Sequence, residues 1–290
     1  MTDAEKVQFW KKHSYFETLP EDIAPMRRLL TEYSHMPADA VDAHLYAIRD
    51  KLWAVHKYPC IGRFSFLNLG MTKSVYYQEA VERLKSKSGS GEGRLLDLGC
   101  CVGQVLRQLV YEGVDPSRLA GADLHREFID LGYEMFGDTE TEAGKAFTFV
   151  AGDILADSPS PFDALAGSVT MIHAANFFHL FSWDEQVKAA KRIVGFLSDQ
   201  NSGSPDGISI FGAQLAHRSP GEHRIVPLSP RTRYLHDATT FQKLWDEVGA
   251  VTGTQWRTAM SPLKSGIGAA LTGNPEVMYV LYGVWRVKDV

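Results

Sequence analysis

The chain has 290 residues, 44% hydrophobic and 22% charged, enough apolar content for a sizeable core and too little charge excess for a disordered chain. Thirty basic against thirty-five acidic side chains leave a net charge of -5, and without a basic run to displace phosphate counterions a nucleic-acid partner is disfavoured. The N-terminus lacks the apolar stretch of a signal peptide, and no run approaches the roughly 18 apolar residues of a membrane span. Cys60, Cys100 and Cys101 cannot build a disulfide framework, and the spaced Cys or His pair of a zinc site is missing. The expectation is a reduced, cytoplasmic protein with no metal and no membrane partner.

In chain order, the first 85 residues read as helical. Val41, His44, Leu45, Ile48, Leu52 and Val55 recur at three- and four-residue spacing, with Pro37 ahead of them. Lys85–Gly93 is polar and glycine-rich, and reads as a linker. After it, short apolar runs alternate with amphipathic segments. Arg94–Leu98 reads as a strand, followed by a turn and a helix carrying Val105, Leu106, Leu109 and Val110. Leu119–Leu124 is a second strand, Glu127–Phe136 a helix and Ala146–Ala151 a third strand. Phe162–His173 supplies a fourth strand and Glu185–Leu197 its helix. Ile208–Gly212 is a fifth, Thr239–Gly249 is helical, and Val277–Val287 closes the chain as a long β run. Such alternation predicts a Rossmann-like, doubly wound α/β fold with a mostly parallel sheet.

The first strand ends in Asp97-Leu-Gly-Cys-Cys-Val-Gly-Gln104, and open α/β sheets bind ligands at the carboxyl ends of strands. A dinucleotide fingerprint starting at Gly99 fails at Cys101 and Gln104, and no Gly-Lys-Ser/Thr of a phosphate loop is present. The S-adenosylmethionine loop, Asp/Glu-x-Gly-x-Gly-x-Gly, fits better. Asp97, Gly99 and Gly103 match, and Cys101 replaces the middle glycine. In that reading Asp97 faces the methionine amine and the backbone from Gly99 through Cys100 and Cys101 to Gly103 packs on the cofactor. Asp123, 20 residues beyond Gly103, ends the second strand, where a carboxylate can accept both ribose hydroxyls, with Leu124 beside it. Asp153 ends the third strand and can take the adenine amino group, with Ile154 against the ring. One strand-end Asp is more often a helix cap; three in register on successive strands argue for a cofactor.

These motifs resemble the class I S-adenosylmethionine-dependent methyltransferases over about residues 90–290. Tyr58-Pro-Cys-Ile-Gly-Arg-Phe64 with Phe66-Leu67, and Ile172-His-Ala-Ala-Asn-Phe-Phe-His-Leu-Phe181 with Trp183, further resemble the fungal secondary-metabolite enzymes that methylate meroterpenoid and other small-molecule carboxylic acids. The resemblance implies a seven-stranded sheet, with residues 1–88 as a helical lid over the acceptor. Residues 89–290 would be the methyltransferase domain, with an acceptor-site insertion around 213–240. The N-terminal aromatics Tyr15, Phe16, Trp53 and Tyr58 suit a lid or a homodimer surface equally.

For the acceptor, chemistry separates two readings. A phenol with a pKa of about 10 is roughly one part in a thousand ionised at pH 7, a cost of about 4 kcal/mol unless a base shares it. A carboxylic acid is already anionic and needs only orientation and desolvation. His173 and His179 flank the fourth strand's end as candidate bases or positioning groups, and His173 could equally contact the cofactor. Carboxylates are held by arginines. Arg63 and Arg224 are candidates, with Arg231 and Arg233 in the same irregular stretch as Arg224. Asn176, Phe177 and Trp183 would line the acceptor pocket. The expected activity is esterification of a small-molecule carboxylic acid in a fungal pathway. The rivals are a phenol or enol O-methyltransferase with a His base and a non-catalytic scaffold.

Overall fold

The structure, a computed structural model, describes residues 3–86, 93–198, 207–224, 231–263 and 267–287. Most of the proposed linker therefore lies outside the described residues, as do 225–230 of the proposed insertion. The chain opens with α1 (Asp3–His13), α2 (Ala24–Glu32), α3 (Val41–Val55), the single turn α4 (Pro59–Gly62) and α5 (Val75–Lys85). The α/β part runs β1 (Leu95–Leu98), α6 (Gln104–Tyr111), β2 (Leu119–Asp123), α7 (Arg126–Phe136), α8 (Glu142–Ala146), β3 (Thr148–Ala151), β4 (Met171–His173) and α9 (Trp183–Phe196). It ends with β5 (Ile210–His217), β6 (Gly221–His223), β7 (Arg233–Leu235), α10 (Ala238–Thr252), β8 (Gln255–Pro262), α11 (Ile267–Thr272) and β9 (Val277–Val287).

Seven strands form one sheet in the order β3-β2-β1-β4-β5-β9-β8, and β6 pairs with β7 in a separate ribbon. The first five strands are parallel, whereas β9 runs antiparallel to both β5 and β8. The order reverses between β1 and β4, which opens a crevice at their carboxyl ends. β1 is buried at every position and β5 along its whole length, as expected of central strands covered on both faces.

Local chemistry sets the helix ends. Asp237 accepts the amide of Thr240 at 2.8 Å to start α10, and Gly253 at φ +68° ends it. Ser182 and Glu185 form a capping box on α9.

One sheet face buries Phe178, Phe241, Trp245 and Tyr282 under α9 and α10. The other packs Tyr77, Ala80 and Leu84 of α5 and Leu106 and Leu109 of α6 against Leu95, Met171 and Phe211. The N-terminal helices own a third cluster, in which Met26, Leu29, Leu45, Ile48 and Leu52 meet Val102, Phe128, Met135 and Phe136. α2 and α3 are thus seated on α7 and on the turn after β1. No helix among the described residues is long and apolar enough to cross a membrane.

Two sequence expectations are corrected, and one strand went unread. Residues 162–165 are not strand: Pro161–Leu165 is a 3-10 turn fixed by a Ser160/Asp163 capping box, so the fourth strand is only Met171–His173. The fifth strand runs further, to His217. β8 had no strand signal of its own, and only its pairing with β9 defines it.

Trp245 is wholly buried among Phe178, Phe241 and Trp256. Trp245→Ala should destabilise the fold by about 3–5 kcal/mol through the cavity left behind, read as a lowered urea midpoint.

Candidate active site

The crevice is built from the turn after β1. The backbone there passes through the left-handed region three times, at Gly99 (φ +76°), Cys101 (φ +51°) and Gly103 (φ +63°). Glycine accepts that conformation freely, while a cysteine there costs about 1–2 kcal/mol. The amides of Gly99 and Cys100 both donate to the carbonyl of Ala122, at 2.8 and 3.0 Å. Those of Cys101 and His125 donate to the Asp123 carboxylate, at 2.8 and 3.1 Å. β2 thus holds the turn by its penultimate carbonyl and its last side chain. Burial raises the Asp123 carboxyl above its ordinary value, and the two amide bonds pull the other way. Asp123 remains half-exposed, and Leu124 next to it leaves 52% of its surface open.

Asp97 and His173 are neighbours across β1 and β4, 3% and 2% exposed, with Asp97 Oδ1 and His173 Nδ1 2.7 Å apart. An ionised carboxylate only accepts, so the ring proton belongs on Nδ1 and Nε2 keeps its lone pair. Nε2 is buried and has no hydrogen-bond partner among the described residues. The sequence showed no His–Asp pair because the two residues lie 76 positions apart and only the strand register joins them. His179, in the turn after β4, is buried with Nδ1 unpartnered. Burial, followed by the charge of Arg233, drives its pKa from the ordinary 6.5 down to about 3.

The other cofactor candidates separate. Cys100 is buried at 2%, while Gly99 stays exposed and a side chain on it would come within 3.6 Å of Phe177. Asp153 is exposed at the end of β3 and accepts the amide of Leu155 at 2.8 Å. Ile154 is buried at 6% exposure in the core cluster, while Leu124 offers an exposed apolar surface.

The acceptor candidates are also divided. Phe177 packs beside the turn and against Phe181. Asn176, at φ +53°, accepts the hydroxyl of Tyr279 at 3.0 Å. Burial pushes that phenol up to about 12. Arg63 is turned to the end of α1, where its Nε donates to the His13 carbonyl. Trp183 directs its indole N–H at Glu247, 2.9 Å away, and packs on Tyr234. Arg224 is exposed, and Arg231 pairs with Glu185.

Three further residues enter the site. Tyr58 packs on His125 with its hydroxyl 3.5 Å from Nε2, within electrostatic reach of Asp123, Cys60 and Arg233. Tyr279 arrives from β9 and Arg233 from β7. Tyr58 lies within a segment already singled out, and Arg233 within a group of three arginines. Tyr279 gives no sequence signal, since an antiparallel strand far along the chain carries it to the end of β4.

A sheet of this order, with β9 reversed beside β5 and a left-handed turn leaning on a strand-end carboxylate, defines a class I methyltransferase. The meroterpenoid methyltransferase N-terminal domain family matches residues 14–67. The O-methyltransferase phiE of a fungal species is 38% identical over 98% of this chain and 92% of its own. The O-methyltransferase atr3 of Stereocaulon alpinum is 37% identical over 84% and 67%. The asnovolin E/chermesin D methyltransferase nvfJ of Aspergillus novofumigatus is 37% identical over 80% and 78%. The chain belongs to this family of fungal secondary-metabolite O-methyltransferases. Its methyl donor is S-adenosylmethionine, and the residues present fit that group: a turn open at Gly99, a half-exposed carboxylate at Asp123, a bare apolar surface at Leu124 and a buried, unpartnered nitrogen at His173.

Asp123→Ala should raise the cofactor dissociation constant at least about tenfold in calorimetric titration, because it removes the half-exposed carboxylate expected to meet the ribose and, with it, the brace of the turn. For His179 the folded pKa is depressed, so the unfolded chain binds the extra proton. Its contribution is intact above about 6.5 and is lost as the pH falls towards 3. The urea midpoint should drop across that window, and less so in His179→Gln.

Proposed function

We propose that the enzyme forms a methyl ester on a carboxylate of a small fungal metabolite. Arg233 carries this reading. It is half-buried, stands within electrostatic reach of Tyr58 and His179, and has no carboxylate partner among the described residues. Burial lowers its pKa, followed by the neighbouring charge of Arg231. A desolvated guanidinium without a counter-charge favours an anion with planar oxygens.

S-adenosylmethionine, when bound, supplies a sulfonium methyl whose carbon–sulfur bond breaks as the oxygen–carbon bond forms, the electron pair staying on sulfur. Asp123 would hold the donor at the crevice beside the turn it braces, and Leu124 would give its base an apolar bed. Arg233 would hold one carboxylate oxygen and leave the other free to attack, and Tyr58 and Phe177 would keep water out. The gain lies in orientation, since an ionised acceptor has no proton to lose. The family match at residues 14–67 and the asnovolin E/chermesin D relative agree with a meroterpenoid acceptor.

A second reading rests on His173 and Asp97. Their pairing is that of a general base held in one tautomer, which would suit a phenol or enol. Arg233→Ala should cut kcat/KM for carboxylic acids about 10- to 100-fold, the worth of a charge-assisted bond, with Arg233→Lys recovering part of it. Unchanged turnover of carboxylic acids by Arg233→Ala, together with turnover of a phenol that is abolished in His173→Asn, would instead establish the hydroxyl acceptor.

A further inference from the structure

Behind the cofactor turn lies a buried ion pair that the chemistry does not use. Arg107 of α6 is 0% exposed and Asp138, after α7, is 2% exposed. They form a two-pronged bond, Nε to Oδ2 at 2.9 Å and Nη2 to Oδ1 at 3.0 Å. The guanidinium sits over four rings, Tyr133, Phe136, Phe147 and Phe149, at 4.9–5.5 Å. Its remaining nitrogen Nη1 donates to the carbonyl of Val102 at 3.2 Å, within the turn itself.

The same nitrogen backs onto Gly103, where an added Cβ would stand 2.5 Å from it. From the other side α7 presses in with Gly132, whose Cβ would stand 2.5 Å from the Val102 oxygen. The pair is closed by Tyr33, next to α2, whose hydroxyl donates to Asp138 Oδ2 at 2.8 Å. That carboxylate and burial together raise the Tyr33 pKa, burial being the larger cause, so the phenol stays a donor.

We infer that Tyr33, Asp138, Arg107 and Gly132 form a positioning strut that sets the curvature of residues 99–103 and ties cofactor affinity to the seating of the N-terminal helices. This rests on the assignment of S-adenosylmethionine to that turn. The strut touches neither donor nor acceptor. It fixes where the Val102 carbonyl and Gly103 lie, and through them the amides of Cys100 and Cys101. A buried charge pair suits this role better than apolar packing, because its geometry is directional and a partial loss is costly.

Two variants test it, one mild and one that forces a backbone shift. Tyr33→Phe removes one donor and leaves the ring. Gly132→Ala adds one methyl that the Val102 backbone must yield to. Each should raise the calorimetric dissociation constant of S-adenosylhomocysteine about fivefold, while KM for the acceptor at saturating donor stays at the wild-type value. Wild-type cofactor affinity in both variants, with only a lowered melting temperature, would overturn the strut. Absence of binding in the well-folded wild-type protein would instead overturn the cofactor assignment beneath it.

Discussion

Everything at this site depends on how β2 holds the turn after β1. The carbonyl of Ala122 and the carboxylate of Asp123 together take three amides of the turn, those of Gly99, Cys100 and Cys101. A backbone reversing through the left-handed region presents amides that have no helical or strand partner, and buried amides cannot go unpaired. Asp123 therefore does two things at once. It satisfies the turn, and it leaves a half-exposed charge at the strand end where a ligand can meet it.

The departure of the loop from its glycine pattern follows from the same constraint. Cys101 occupies a left-handed position at an energetic cost, and its side chain packs on the cluster formed by the N-terminal helices and α7. Glycine would remove the strain and the contact together. Strained backbone recurs at Phe64 (φ +59°) and Asn176 (φ +53°), which places non-glycine left-handed residues on the segments around the crevice. Such strain persists only where the surroundings over-determine it, and here they do. Phe64 is buried beside Tyr46 and Arg49, and Asn176 is held by Tyr279 and by the Ala213 carbonyl.

The N-terminal helices are part of that surrounding structure. Their core is continuous with α7 and with Val102, and Tyr58 reaches from them to His125, whose amide donates to the Asp123 carboxylate. The seating of these helices and the geometry of the loop are thereby linked through one packed layer.

The sequence by itself determined the strands β1, β2, β3 and β9, the helix of residues 41–55 and the carboxylates at the strand ends, because each is written in local periodicity or in a short spacing. The glycine pattern marked the turn, and Cys101 marked its irregular position. Tertiary structure alone decided the partners. Asp97 and His173 meet through strand register, Arg107 and Asp138 through burial under four rings, and Arg63 is drawn to the His13 carbonyl at the end of α1. Arg233 was legible only as one of several arginines, and what distinguishes it is a half-buried position with no counter-charge among the described residues. Tyr279 was not legible at all. A local pattern fixes which face of a strand or helix a residue occupies, but the residue facing it is set by the crossing of distant segments, which no short window contains.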